Sequence, residues 1–348
     1  MNKILLVILL GILLGEIIFL LALSPGEDFW QHYSAAQAIR SGTTMHETPR
    51  ATFGDWIYPY PMFTAVLLLP LSFLPPWLAF TIWVGLLYST AGVSTYLFAT
   101  RVAGRDRQVA SLVTIVSLIW PVTFIAVFMG QITPLVLAIL AAAYLLGQGE
   151  RSSFAGLVLS LGLIKPHVVA PIVAGLILRR KWHLVVSFAI GAFIVVSISL
   201  AVGQSTSLDA WRQYVFGRFL GGGRSISPIG RLQFLSEPWR MLLVAAGYCT
   251  LGIWWFKKHM IRPIDAALGF LVSIFLSPYV PAYDLVLLIP VLVFLIGQGG
   301  LFFWLAMILS SVGSFRYGLA GLMTLSMICL AVALLRFQGS AKTLLARQ

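Results

Sequence analysis

Apolar runs of helical length recur from one end of this 348-residue chain to the other, and they leave few folds open. About 20 apolar residues span a bilayer as a helix, and a helix satisfies its own backbone polar groups inside lipid. The chain is 59% hydrophobic and 10% charged, far outside the averages of soluble domains. The expectation is an all-α polytopic membrane protein. No segment is polar and long enough to fold alone in water, so residues 1–348 are read as a single membrane domain. The first run, Ile4 to Leu23, is read as a retained anchor, with Ala22-Leu23-Ser24 keeping cleavage as the alternative. Cys249 and Cys329 lie inside apolar runs, which argues against a disulfide or a metal pair.

The net charge of +12 would point a soluble protein toward nucleic acid. Here the basic residues mostly sit in short loops between apolar runs, where Lys and Arg mark the cytoplasmic side. Such loops are too short for a nucleic-acid module, so no nucleic-acid partner is expected. Reading sides from the basic loops gives crossings at 4–23, 77–100, 109–129, 132–147, 153–164, 167–178, 183–202, 239–256, 264–277, 285–297, 301–315 and 318–335. That is about twelve, several of them short for a full bilayer. Residues 58–75 are framed by prolines and fit the alternation as a re-entrant or interfacial hairpin covered by protein. The loops 24–57 and 203–238 then fall outside the cytoplasm. Asp28, Gln131, Lys165 and Asp284 fall on the same face, although the side assignment used only basic loops.

One polar stretch directly follows the first run: Ser24-Pro25-Gly26-Glu27-Asp28-Phe29-Trp30-Gln31-His32-Tyr33. Two readings fit it. In one, Ser24 caps an interfacial helix, Pro25 opens it, the acids fill its first turn, and Trp30 and Tyr33 are belt aromatics. In the other, two carboxylates placed together in a chain with 11 acidic residues mark a site.

The loop 203–238 runs against the charge rule. It carries Arg212, Arg218, Arg224 and Arg231, with Arg240 just beyond and Gly221-Gly222-Gly223 among them. Guanidinium forks bind phosphate bidentately, and glycines let backbone N–H groups approach an anion. Headgroup contact, or pairing with Asp209 and Glu237, is the structural alternative. Lys165-Pro166-His167 joins two apolar spans without a polar flank. A lysine there needs an anion, a watery cavity or a headgroup to reach. Glu16, inside the first span, is expected to face the bundle and is given no role. Asp284, in a double-proline turn after Tyr283, either bonds a sugar hydroxyl or caps the next helix. The five histidines lack ligand spacing, so no protein-built metal site is expected, and a divalent ion shared by Glu27, Asp28 and a lipid phosphate stays open. No Walker, Rossmann or nucleophile-elbow pattern is present.

These groups fit one reaction class. A sugar on a polyprenyl phosphate carries its own leaving group, which cations stabilise. The attacking hydroxyl needs a general base, and a base opposite the leaving group inverts the anomeric centre.

The motifs and their order resemble the polyprenol-phosphate-mannose-dependent mannosyltransferases of glycosyltransferase family 87, of the GT-C type. The matching pieces are Asp28-Phe29-Trp30-Gln31-His32-Tyr33 with Ala35-Ala36, then Tyr58-Pro59-Tyr60-Pro61 and Leu69-Pro70-Leu71. Gly130-Gln131-Ile132-Thr133, the block from Ala155-Gly156-Leu157 to Leu163-Ile164-Lys165-Pro166-His167, and Ser277-Pro278-Tyr279 with Tyr283-Asp284-Leu285 follow. The resemblance implies a lipid-phosphate-sugar donor, a lipid or glycan acceptor, an inverting transfer and a site outside the cytoplasm, in the cell (plasma or inner) membrane. It implies Asp28 as the base and Lys165 as part of the family's lysine-proline motif. Thr133 stands where asparagine often follows Gly-Gln, and the second proline of a Tyr-Pro-Pro run is displaced to Pro61. The expected site therefore has Asp28 as catalytic base. Lys165, Arg218, Arg224 and Arg231 hold the donor phosphate, and Glu27, His32, Tyr58, Gln131, His167, Tyr283 and Asp284 line the sugar and acceptor pocket. No cofactor is expected. The rivals are a transporter or flippase of an anionic lipid, and a non-catalytic lipid-binding relative. A transporter of this size should show broken helices in two related halves, and no internal repeat is visible.

Overall fold

The computed structural model describes residues 3–23, 25–43, 58, 60–148, 152–202, 232, 235–257, 271–277, 280–295 and 305–310. Among them there are helices and turns and no strand. The helices are α1 (Lys3–Leu23), α2 (Glu27–Ser41), α3 (Met62–Leu67), α4 (Pro76–Leu97), α5 (Arg107–Leu118), α6 (Pro121–Phe128), α7 (Thr133–Gly147), α8 (Ser152–Leu161), α9 (Pro166–Leu178), α10 (Trp182–Val202), α11 (Glu237–Lys257) and α12 (Ile289–Leu295). Arg212, Arg218, Arg224, Arg231 and Gly221 to Gly223 lie outside the described residues, as do most of the last two expected spans.

Among the described residues, three helical stretches are long and apolar enough to cross a membrane: Leu6–Leu23, Pro76–Val102 and Trp182–Val202. Where a crossing is expected at 109–129, α5 and α6 meet at a 52° bend, the shape of either a broken span or a re-entrant loop. Pro121 cannot donate a backbone hydrogen bond, which explains a break at that point. The stretches expected as short crossings include the shorter apolar helices Thr133–Gly147, Ser153–Ile164, Pro166–Leu178 and Tyr283–Leu295, which fall below the length of a full span. α1 exposes a broad apolar surface, with Ile4, Val7, Leu14 and Ile18 on it, as a lipid-facing helix does, while Leu20 on its other side is fully buried.

The chain divides into two compact units. The first comprises Leu14–Thr90 and Ala126–Gly221. Within it, the proline-framed stretch is α3 followed by a 3-10 turn, Leu69–Phe73. Met62, Phe63, Thr64 and Ala65 are buried, so this short element is covered by protein. Arg40 of α2 donates to the Ser72 carbonyl, and its guanidinium lies 5.2 Å from the Phe73 ring centroid. The Tyr33 hydroxyl donates to the Leu74 carbonyl at 2.8 Å. The Tyr88 hydroxyl of α4 donates to Glu16 of α1 at 3.4 Å, so Glu16 does face protein.

α8 and α10 cross at small residues. A Cβ on Gly156 would run into Ser187 Oγ and the backbone of Leu184 and Phe188, and one on Gly191 would run into Ser160. Apolar helices in lipid gain attraction by such close approach. Ala143, Leu159 and Val169 form the buried centre beside this crossing, with Leu140, Val158, Ile172 and Phe188 packed around it. Gly156→Val is therefore expected to cost about 1–3 kcal/mol of stability, since the clash is with backbone that cannot turn aside. Thermal unfolding in detergent measures this, and an unchanged midpoint would refute the close crossing.

The second unit comprises Met1–Leu13, Ala91–Ile125 and Gly222–Gln348. Asp106 caps α5, its carboxylate accepting from the N–H groups of Gln108 and Val109, both at 2.9 Å. Arg105 donates to the Phe294 carbonyl at 3.3 Å, and Trp120 Nε1 donates to Ser310 Oγ at 3.2 Å. Leu285 to Leu288, in a 3-10 helix (Ala282–Leu288), are fully buried and give this unit its core.

Candidate functional site

The first turn of α2 builds the site. The helix starts at Glu27 with Gly26 as its N-cap, in the left-handed region at φ 45°. This corrects the structural reading of the 24–33 stretch, in which Ser24 caps and Pro25 opens the helix. Pro25 instead offers its carbonyl to Trp30 Nε1 at 3.0 Å. The aromatics also pack against neighbouring residues. Phe29 and Tyr33 are buried, and Trp30 stacks on Phe80 with ring centroids 5.8 Å apart. α2 ends at Gly42, φ 66°, with Gly42 and Thr43 N–H groups returning to the Ile39 and Ala38 carbonyls.

Main-chain bonds hold the first turn against the end of α6. Gly26 N–H donates to the Phe128 carbonyl at 3.0 Å, and Asp28 N–H to the Met129 carbonyl at 2.8 Å. Gly130 turns the chain at φ 70°, where a Cβ would lie 2.6 Å from Phe29 Cβ and 2.8 Å from Phe29 N. Only glycine meets both conditions. The buried Trp83 indole donates to the Gly130 carbonyl at 3.0 Å. Gln131 leaves this turn with its own N–H bonded to the Ala126 carbonyl at 2.8 Å.

From there a chain of side chains runs through the interior. Gln131 Nε2 donates to Asp28 Oδ2, and the Tyr60 hydroxyl donates to Gln131 Oε1 at 3.0 Å. His32, one turn along α2 from Asp28, is fully buried, and its Nδ1 shares a 2.9 Å hydrogen bond with the Tyr58 hydroxyl. His32 also lies against the Tyr60 ring, centroids 4.4 Å apart. Its Nε2 is buried with no hydrogen-bond partner among the described residues.

Lys165 closes the cluster. Pro166 disfavours the helical conformation in the residue before it, and Lys165 sits at φ −126°, ψ 80° between a 3-10 turn (Gly162–Ile164) and α9. The break turns its side chain inward: Lys165 is 5% exposed, and Nζ donates to Thr133 Oγ1 at 2.7 Å.

Burial holds the His32 imidazole down to about 3, with the charge of Lys165 as the second cause. Burial pushes the Tyr58 phenol well above its ordinary range. Since the folded His32 value lies below the unfolded one of about 6.5, unfolded chains take up a proton that the native imidazole refuses. Stability is then full above pH about 6.5 and falls progressively toward pH 3. Unfolding midpoints in detergent between pH 7 and 4 should drop for the wild type and drop less for His32→Asn. Equal slopes would remove His32 as the cause.

The structure thus brings Asp28, His32, Tyr58, Gln131 and Lys165 together in one unit. Glu27 is exposed at the start of α2, and His167 is half-buried in the first turn of α9. Tyr283 and Asp284 belong to the other unit. Asp284 is buried inside the first turn of its 3-10 helix, whose N-cap is Pro281, so it is not at a capping position. Tyr60, Thr133 and Trp83 were missed as site residues. Two of them carried a signal, since Tyr60 lies in the quoted Tyr-Pro-Tyr-Pro motif and Thr133 closes Gly-Gln-Ile-Thr. Among the described residues no three His, Cys, Asp or Glu side chains gather around a point that a metal ion would fill.

Among the described residues, helices without strands, apolar spans and a buried polar cluster built on helix ends define the class: a membrane-type helical protein with an embedded polar site. The family model described as glycosyltransferase family 87 matches residues 58–280, well over half of the chain, and the chain belongs to that family. It is accordingly a glycosyltransferase. The matched stretch contains Tyr58, Tyr60, Gln131, Thr133 and Lys165 and begins after Asp28 and His32. No curated protein and no solved structure matches the chain.

Proposed function

We propose that this glycosyltransferase moves a hexose, mannose in the first instance, from a polyprenyl-phosphate donor to a hydroxyl of a lipid or glycan acceptor. The reaction inverts the anomeric centre and takes place at the extracytoplasmic face of the cell membrane, in a GT-C type bundle of about twelve crossings. Asp28 takes the proton of the acceptor hydroxyl. The acceptor oxygen attacks the anomeric carbon as the bond from that carbon to the phosphate oxygen breaks. The electron pair leaves on the polyprenyl phosphate, whose charge Lys165 stabilises together with Arg218, Arg224 and Arg231. Glu27, His32, Tyr58, Gln131 and His167 are assigned to the sugar and acceptor pocket.

One observation carries this reading. The acid and the buried ammonium are held by residues two apart in sequence, Gln131 bonding Asp28 and Thr133 bonding Lys165. A displacement at carbon needs a base and a charge sink at fixed separation, and this segment supplies both holders. The test is purified protein in nanodiscs with polyprenyl-phosphate mannose and short mannosyl or lipid acceptors. Release of polyprenyl phosphate with formation of an inverted glycoside is expected. Movement of intact donor between leaflets without cleavage would instead make the protein a flippase.

A further inference from the structure

We infer that Gln131-Ile132-Thr133 is the positioning element of the transfer site: Gln131, braced by Tyr60, orients the Asp28 carboxylate, and Thr133 seats the Lys165 ammonium. The inference rests on the proposed transfer reaction and deepens it. It gives Gln131 a different task from lining the sugar pocket.

The argument starts from the amide. Gln131 is 1% exposed, with its amino end donating to Asp28 and its carbonyl end accepting from Tyr60. A buried amide used at both ends is fixed in direction, because turning it over would set its carbonyl against the carboxylate. The backbone beneath it is fixed as well, by the Gln131 N–H to Ala126 bond and the Gly130 turn. Two residues on, Thr133 is fully buried at the first position of α7, where Pro134 starts the helix without an N–H to satisfy. Its hydroxyl accepts from Lys165. One rigid turn therefore sets where the acid points and where the ammonium rests. Neither Gln131 nor Thr133 need touch the reacting atoms.

Among the described residues, the charged and titratable groups on the elements that build the cluster are Glu27, Asp28, His32 and Tyr33 on α2, Tyr58 and Tyr60 ahead of α3, and Lys165 and His167 at the start of α9. None is removed by substitutions at 131 or 133. Gln131→Ala should lower kcat about 10- to 100-fold and leave the donor KM within about 2-fold, since misdirection of a base affects the transition state. Losing a donor to the carboxylate also disfavours its charged form, so the acid limb of the pH–kcat/KM profile should move up by roughly one pH unit. Tyr60→Phe should act in the same direction and more weakly, and the double variant should be no worse than Gln131→Ala alone. Thr133→Val should lower kcat/KM about 10-fold, mostly through kcat, and leave the acid limb in place. Unfolding midpoints accompany each variant. A wild-type kcat and acid limb in Gln131→Ala overturns the inference, as does a loss of kcat and KM that simply follows falling stability in both variants. The same series includes wild type and Asp28→Asn. If wild type transfers no sugar, the reading of function fails and this inference with it. If wild type transfers, Asp28→Asn is dead and Gln131→Ala is normal, the inference alone fails.

Discussion

Asp28→Asn is expected to lower sugar transfer by about 100- to 10,000-fold, the range a general base contributes. The amide keeps the size of the carboxyl group and cannot take up the acceptor's proton. The fold should survive, because α2 is docked by main-chain bonds from Gly26 and Asp28 that do not involve the side chain. Donor binding should survive too, since the charge at Lys165 is untouched. The measurement is single-turnover transfer beside donor binding by the same preparation. Full activity in Asp28→Asn would move the base elsewhere in the chain, and loss of both binding and folding would make Asp28 structural. Asp28→Glu is the finer probe. It keeps the base and displaces it by one methylene, and loss of about 100-fold is the expected cost of misplacement.

Lys165→Met should reduce kcat/KM by about 100- to 1,000-fold, the scale of removing one preorganised group from a developing charge. Methionine matches the length of the lysine stem, and position 165 is almost fully buried, so packing is preserved and the ammonium is lost. The leaving group decides the size of the effect. A donor whose sugar sits on a pyrophosphate departs more readily and needs less help from a cation, so its penalty should be smaller. Equal penalties for both donors would mean that Lys165 holds the ground state rather than the leaving phosphate. His32 offers a spectroscopic companion. Its low value is due in part to the charge of Lys165, so the imidazole should titrate at higher pH in Lys165→Met.

Much of the helix plan was legible because apolar run length is written locally. The runs at 4–23, 132–147, 167–178 and 183–202 correspond to α1, α7, α9 and α10 within a residue or two. The 109–129 run looked continuous because hydropathy does not register a bend, and the break at Pro121 is a backbone effect. The site was legible where chemistry is costly, at a lysine between apolar spans and at acids after the first run. It was illegible where neutral groups do the holding. Thr133 and Tyr60 carry no charge anomaly, and their roles come from contacts across 32 and 71 positions of chain. The start of α2 was misplaced because Gly26 works through its backbone angle, and a serine two residues earlier looks like the better cap.

Main-chain docking of the α2 first turn bears on how this enzyme can diverge. The tether at the first turn is made of peptide groups and is blind to side-chain identity, whereas the rest of α2 is held by side chains such as Tyr33 and Arg40. Fragility is concentrated in the two glycines that let the strands of backbone touch, Gly26 and Gly130. A side chain at either position should therefore undock the first turn of α2 from the end of α6, whatever the identity of the aromatics around it.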